Sequence, residues 1–339
     1  MDLSNPIRDL KRSGFLLFLL LCVGLNTGCS YLVKNEHQRL YSMAKYGDDR
    51  FIRVDHYWVH YVEVGEGDPL FLVPGAFSTY RDWNRLIPLL SKTYRVLALD
   101  YLGVGDSDKP TSGFNYTIEE QADLIVKIAE RLQIPKFHLA GVSYGGVIAL
   151  NLSTRYPEKV NRVVCIEGGV IKPERLPHQY KKAILGVPLI GHFIISAIRS
   201  GLFDRITARV VMGKVWETLS EEERKEILEI ISHNNKTASQ GSWSRIARTF
   251  KNSKEFVEEV KSLKTPVLYL YGKSSGFRKM TEMNVELFNK HLPHIEIISF
   301  EDGIHNLELQ KPREVAERML EFFNRDGFQN QQKVFPFNP

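Results

Sequence analysis

The sequence predicts a doubly wound α/β fold, a mostly parallel sheet with helices on both faces and a helical segment inserted late in the chain. Three observations predict it. Leu70 to Val73, Val96 to Leu99, Phe137 to Val142, Val160 to Ile166, Val267 to Tyr271 and Ile295 to Ser299 are short apolar runs of the kind buried in a parallel sheet. Helical patterns separate most of these runs. From about 172 to 264 there are only helical patterns and no convincing strand, although sheet strands flank the interval; a crossover needs one helix, and this interval holds several. Composition fits a large globular domain: 339 residues, 43% hydrophobic and 25% charged. Disorder and multi-span membrane character are excluded. A net charge of +5 is small and scattered, which argues against a nucleic-acid partner.

The amino terminus stands apart. Arg8, Lys11 and Arg12 precede an apolar run from Phe15 to Leu25 that ends in Asn26-Thr27-Gly28-Cys29-Ser30, the basic, apolar, small-residue order of an export signal. The run is too short to span a bilayer, which needs roughly 20 residues. Gly28-Cys29 resembles the lipobox of bacterial lipoproteins, with Asn26 where that box prefers an aliphatic residue. The resemblance implies lipidation of Cys29 and, with Ser30 following, sorting to an outer membrane; plain cleavage to a periplasmic protein and an uncleaved anchor are the alternatives. Residues 1–28 are set aside as the signal, which lowers the charge to +4 because three basic and two acidic side chains leave with it. Cys165 is then the one ordinary thiol, so no disulfide framework forms within one mature chain.

The elements follow in order. Ile52, Val54, Trp58, Val62 and Val64 share one parity before Gly65-Glu66-Gly67-Asp68, which predicts an antiparallel pair or bent strand. Thr117-Ile118-Glu119-Glu120 is a capping box opening a helix through Leu132, and Ser220-Glu221-Glu222-Glu223 opens another through Ile231. The core is expected over 50–171 and 265–325, a cap over 172–264, and a disordered tail over 326–339, which is rich in Asn, Gln and Pro.

The chemistry begins at Gly141-Val142-Ser143-Tyr144-Gly145-Gly146. An apolar strand pattern feeds into it and a helix pattern leads out, so Ser143 occupies a sharp strand-to-helix turn with its hydroxyl at a helix amino terminus, where developing negative charge is favoured. In that context G-x-S-x-G marks an activated nucleophile. Asp100 to Pro110 is close to a D-x-x-G-x-G-x-S segment, Val73-Pro74-Gly75-Ala76 with Trp83 resembles an H-G-x loop, and Asp302-Gly303-Ile304-His305 resembles a histidine-bearing loop before a last helix. On these stretches the chain resembles the cap-bearing members of the α/β-hydrolase superfamily, from about Tyr57 to Phe323.

That resemblance implies a Ser, acid, His relay. Of the ten histidines, His305 alone lies in a loop after the last strand and before the last helix, and it is expected as general base and acid. His138 reads as a packed core residue, and His56 and His60 belong to the first strands. The family's usual acid, in a G-x-x-D arrangement after the strand 267–271, is missing: the segment reads Gly272-Lys273-Ser274-Ser275. Glu167, ending the preceding strand, is the expected acid, with Asp302 or Glu301 acting from close by, or a decayed triad, as alternatives. Oxyanion donors are expected from the backbone N–H groups of Tyr144 and Ala76. Pro74 replaces the family's histidine without touching either donor.

Dehalogenases and epoxide hydrolases of this fold form an alkyl-enzyme ester on an aspartate at the elbow, so Ser143 points to acyl transfer instead. No metal-ligand spacing and no phosphate-cradling loop is present, and Gly103-Val104-Gly105 reads as a turn; no cofactor is expected. The early cap, Ala183 to Phe203, is apolar on most of its surface, which reads either as buried core or as an apolar lid over an acyl pocket. A small-molecule ester or lipid is the expected substrate, and the sequence leaves the oligomeric state open. Proline-type aminopeptidase, thioesterase and C–C bond hydrolase are the catalytic alternatives, and a non-catalytic binding protein is the alternative of another class.

Overall fold

A computed structural model describes residues 44–169, 188–249, 253–292 and 294–325. The proposed signal 1–28, Cys29, the first part of the inserted interval and the tail 326–339 lie outside the described residues. The chain enters the sheet through a hairpin of β1 (Asp48–Val54) and β2 (Tyr57–Val64), turning at Asp55-His56, so His56 belongs to the turn and not to a strand. There follow β3 (Asp68–Val73), α1 (Ile87–Leu90), β4 (Tyr94–Leu99), α2 (Ile118–Arg131), β5 (Phe137–Val142), α3 (Tyr144–Arg155) and β6 (Val160–Ile166). Then, among the described residues, come the α-helices α4 (Pro188–Arg199), α5 (Asp204–Met212), α6 (Glu221–Lys236), α7 (Gln240–Ile246) and α8 (Ser253–Val260). The sheet resumes with β7 (Val267–Gly272), α9 (Arg278–His291), β8 (Ile295–Phe300), α10 (Leu307–Gln310) and α11 (Pro312–Phe323). Among the described residues of the insertion there is no strand.

The sheet order is β1-β2-β4-β3-β5-β6-β7-β8. β2 pairs antiparallel with β1 and β4, and every later neighbour pair is parallel. This is the α/β-hydrolase fold. Alternation along each strand divides the core. Phe71, Val73, Leu97 and Leu139 pack with α2, α3 and α8 on one face, while Leu70, Leu72, Ala98 and Val142 pack with α1 and α11 on the other. Each fully buried Val, Leu or Phe side chain among these contributes about 1.5–3 kcal/mol relative to exposure. Because all parallel strands run the same way, the turns after β5, β6, β7 and β8 gather along one edge, where Ser143, Glu167, Ser275 and His305 lie.

Both capping boxes form. Glu120 N–H donates to Thr117 Oγ1 at 3.1 Å and Glu223 N–H to Ser220 Oγ at 3.2 Å. The helix opened by Ser220 runs to Lys236 rather than Ile231. The apolar pattern stops at Ile231, but Asn234 and Asn235 are buried by polar contacts: Asn234 bonds Ser78 and Thr79 of the core, and Asn235 donates to Asp204. Tertiary hydrogen bonds extend the helix where hydrophobicity no longer marks it.

The Asp100 to Ser107 turn is a structural brace. Asp100 is fully buried and accepts from Tyr80 N–H at 2.8 Å, Asp106 N–H at 3.0 Å and His60 Nδ1 at 2.8 Å. Gly105 has φ +52°, and a Cβ there would stand 1.9 Å from the Asp100 carboxylate, so glycine is required. The other ring nitrogen of His60 meets Asp49 at 2.9 Å. Burial works against charge on this imidazole, but the hydrogen bonds to Asp100 and Asp49 outweigh it and raise its pKa to about 9. A folded pKa above the unfolded one means the stabilisation is complete below about pH 6.5 and is lost as pH rises through about 9. Chemical denaturation is therefore expected to show stability falling across that window, with a flatter profile for His60→Asn.

Candidate active site

Ser143 sits between β5, whose residues are all buried, and the first turn of α3. Its backbone is at φ 50°, ψ −114°, a conformation that L residues other than glycine seldom adopt, and it is held by Ser143 N–H donating to Ile166 O at 2.8 Å. The helix start presses against the β3 loop: a Cβ on Gly145 would lie 2.3 Å from Val73 O. Strand, turn and helix thus aim the hydroxyl into a cavity of ≈ 1450 Å³ that Ser143 and His305 both line.

Glu167 directly follows β6, with φ 47° and its carboxylate fully enclosed. Oε1 accepts Gly272 N–H at 2.7 Å; Oε2 accepts Ser275 Oγ at 2.8 Å and meets His305 Nδ1 at 2.6 Å. The position after β7 that lacks an acid therefore carries a hydroxyl that donates to the glutamate. Both carboxylate oxygens are satisfied in a buried setting, which offsets the cost of holding a charge there.

His305 follows β8 on a loop braced from several sides. Ile304 N–H donates to Gln310 Oε1 at 2.7 Å, Ser274 N–H to Gly303 O at 2.9 Å, and Phe277 stands edge-on to the imidazole at 4.7 Å. The ring is bonded through Nδ1 to Glu167 and makes no hydrogen bond to Ser143 here. The two nearby acids have other partners. Asp302 pairs with Lys311 at 3.0 Å, which holds its carboxyl below the usual range, and Glu301 pairs with Lys273.

Ala76 lines the same cavity, and Tyr144 is the first residue of α3, at the positive end of its dipole. The Tyr144 ring turns away, its hydroxyl donating to Tyr116 O at 3.2 Å. Tyr101 Oη donates to Gly75 O at 3.0 Å, and the buried Asp82 accepts from Ser78 Oγ, Asn234 Nδ2 and the Gly75 backbone. Burial pushes the Asp82 carboxyl up to about 6 despite those hydrogen bonds. The loop beside Ser143 is thus held by a buried polar network that reaches into α6 of the insertion.

Ser275, Phe277, Asp82 and Thr281, whose hydroxyl donates to Glu167 Oε2 at 3.5 Å, were not expected from sequence. Ser275 had one available signal, its place where an acid is usual; the others depend on contacts across elements. His138 is buried against Tyr94 and Phe323, and burial lowers its pKa to about 4, as suits a packed neutral imidazole. Cys165 is buried, with its thiol pushed up to about 12 by desolvation. Among the described residues one group could bring ligand atoms together for a metal, His60, Asp100 and Asp106, but both nitrogens of that imidazole are already engaged by Asp100 and Asp49.

The cavity wall includes Phe77, Ile198, Val211, Trp243 and Leu309 beside polar groups near the serine. Ile198 and its neighbour Ile195 show that α4 is neither wholly core nor wholly lid: Ile195 packs on Ala238 and Trp243 while Ile198 faces the cavity. Residues 183–187, the start of the apolar stretch, lie outside the described residues. No helix of the described residues is long and apolar enough to cross a membrane.

A family model described as "alpha/beta hydrolase fold" matches residues 68–189. The chain is similar to 2-hydroxymuconate semialdehyde hydrolase of Pseudomonas sp. (strain CF600), 37% identical over 103 residues, 30% of this chain and 36% of that protein. It is also similar to bifunctional epoxide hydrolase 2 of Mus musculus, 32% identical over 117 residues, 34% of this chain and 21% of that protein. The chain therefore spans about a third or less of the length of these curated relatives. Among solved structures, a membrane phospholipase A described as a novel bacterial virulence factor superposes with TM-score 0.63 at 22% identity, covering 93% of this chain and 100% of that one. At that identity the likeness speaks for the fold alone.

Proposed function

For a chain with the α/β-hydrolase fold, we propose acyl transfer through Ser143, with His305 as base and acid, Glu167 as the carboxylate partner, and Tyr144 and Ala76 N–H as oxyanion donors. The observation that carries this is the 2.6 Å contact of His305 Nδ1 with a Glu167 carboxylate already fixed by Gly272 and Ser275, in the cavity Ser143 lines. Glu167 then keeps the proton on Nδ1 and leaves Nε2 free to accept from Ser143 Oγ, a contact that tightens once substrate fills the site. Oγ bonds to the carbonyl carbon, and the carbonyl oxygen takes the charge beside the α3 amino terminus. The tetrahedral centre collapses, the C–O bond to the alcohol breaks, and His305 returns its proton to the leaving oxygen. Water repeats the sequence to release the acid.

The substrate we infer is a lipophilic carboxylic ester. The cavity volume and its apolar wall of Phe77, Ile198, Val211 and Trp243 support it. Epoxide opening fits less well, because an alkyl-enzyme ester needs a carboxylate nucleophile and a serine stands at the elbow. Hydrolysis of a C–C bond next to a carbonyl is the second reading, favoured by the similarity to the semialdehyde hydrolase and compatible with the same serine. A panel separates them. p-Nitrophenyl esters should be cleaved with kcat/KM rising with acyl length, and 2-hydroxymuconate semialdehyde should be cleaved far more slowly. The opposite ranking would move the assignment to C–C hydrolysis.

A further inference from the structure

The insertion presents an apolar surface that the core does not use. On α4, Leu189 is 78% and Phe193 53% exposed, four residues apart on one helical face, with Ile190 beside them. On α5, Ile206 is 59% and Val210 76% exposed, again four apart, and Leu202 is exposed just before that helix. Exposed large apolar side chains repeated at helical spacing on consecutive helices are unusual for a surface facing only water. The same helices border the catalytic cavity, since Ile198 of α4 and Val210 of α5 contribute to its wall.

The charges on this surface are mostly basic. Arg199, Arg205, Arg209 and Lys214 are all exposed in the stretch 188–217, whose two acids are Asp204, engaged by Asn235, and Glu217, which pairs with Arg209 at 3.8 Å and leaves the other three cations in excess. Arg205 and Arg209 follow the Ile206 and Val210 row along α5. Apolar rows flanked by basic side chains match an anionic bilayer surface, where aliphatic groups enter the acyl boundary and guanidinium groups meet phosphates. We propose that α4 and α5 dock the insertion onto an anionic lipid surface, with the mouth of the catalytic cavity at the membrane. A lipophilic substrate would then pass from the bilayer to Ser143 without crossing water. Docking itself does not depend on the acyl-transfer reading, and it is tested in a chain that cannot turn over.

The full chain carrying Ser143→Ala and Ile206→Trp is mixed with vesicles of phosphatidylglycerol and acyl-brominated phosphatidylcholine. The parent, with its four native tryptophans, gives the background. A local probe is needed because the basic and apolar amino-terminal stretch could by itself bring the chain to vesicles. The fluorescence added by Ile206→Trp should be quenched by about twofold or more, and Arg205→Glu with Arg209→Glu or omission of phosphatidylglycerol should remove the effect. Leu189→Trp should report the same from α4. An unquenched indole at the α5 position in a chain that floats with vesicles would overturn the proposal, as would failure to float. So would an emission shift of that indole that follows protein concentration without lipid, since that would make a second copy of the chain the occupant.

Discussion

Glu167→Gln is expected to lower kcat for ester hydrolysis by roughly 10³–10⁴-fold while leaving the fold intact. The hydrogen bonds around this side chain dictate how an amide would sit. Gly272 N–H can only donate, so it holds the amide oxygen in place of Oε1. The amide NH₂ then replaces Oε2 and faces His305 Nδ1. An N–H donor there forces Nδ1 to accept, which moves the imidazole proton to Nε2, the nitrogen that in the proposed mechanism takes the proton of Ser143. The variant thus has the wrong tautomer and no negative charge to stabilise an imidazolium. Asp302→Asn should change kcat little, because Asp302 is exposed and paired with Lys311. Steady-state kinetics on both variants, with circular dichroism as the check on folding, tests the assignment. A large loss for Asp302→Asn and none for Glu167→Gln would place the acid on the β8 loop instead.

Ser143→Ala should remove turnover almost entirely, with kcat/KM down on the order of 10⁴-fold or more, equivalent to about 5.5 kcal/mol of transition-state stabilisation. Alanine keeps the Cβ and removes only the oxygen to which the acyl group would bond. Stability should not fall with activity. Ser143 has a positive φ of 50°, and alanine is no worse there than serine. Thermal unfolding near the wild-type temperature beside a kinetic null would separate a lost nucleophile from a lost fold. Retained activity would exclude the serine mechanism.

Much of this site is local in sequence, and that part was legible. The strand runs, the two capping boxes and the glycine-flanked turn around Ser143 each declare themselves within about ten residues, because hydrophobic periodicity, helix capping and tight-turn sterics are short-range. Glu167 was legible only as an acid at a strand end. Its engagement depends on β6 lying beside β7 and β7 beside β8, which brings Gly272, Ser275 and His305 around it from more than a hundred residues away. Ser275 read as an empty place and is a donor to the acid. The extra length of α6 was hidden for a similar reason: Asn234 and Asn235 look like a helix end, yet the helix continues because their amides bond Ser78 and Asp204. The apolar stretch entering the cap read as either core or lid, and its described part divides between a buried Ile195, a cavity-facing Ile198 and exposed Leu189 and Phe193. Periodicity reports that a face is apolar; it does not say what covers it.

The most direct test of Ser143 as a nucleophile activated by His305 is covalent capture of the folded full-length chain with a fluorophosphonate, followed by peptide mass spectrometry. One phosphonyl adduct is expected, on Ser143, formed rapidly in wild type and slowly or not at all in His305→Ala. A chain that unfolds cooperatively and yet takes up no phosphonate at Ser143, or one labelled equally fast without His305, would contradict it.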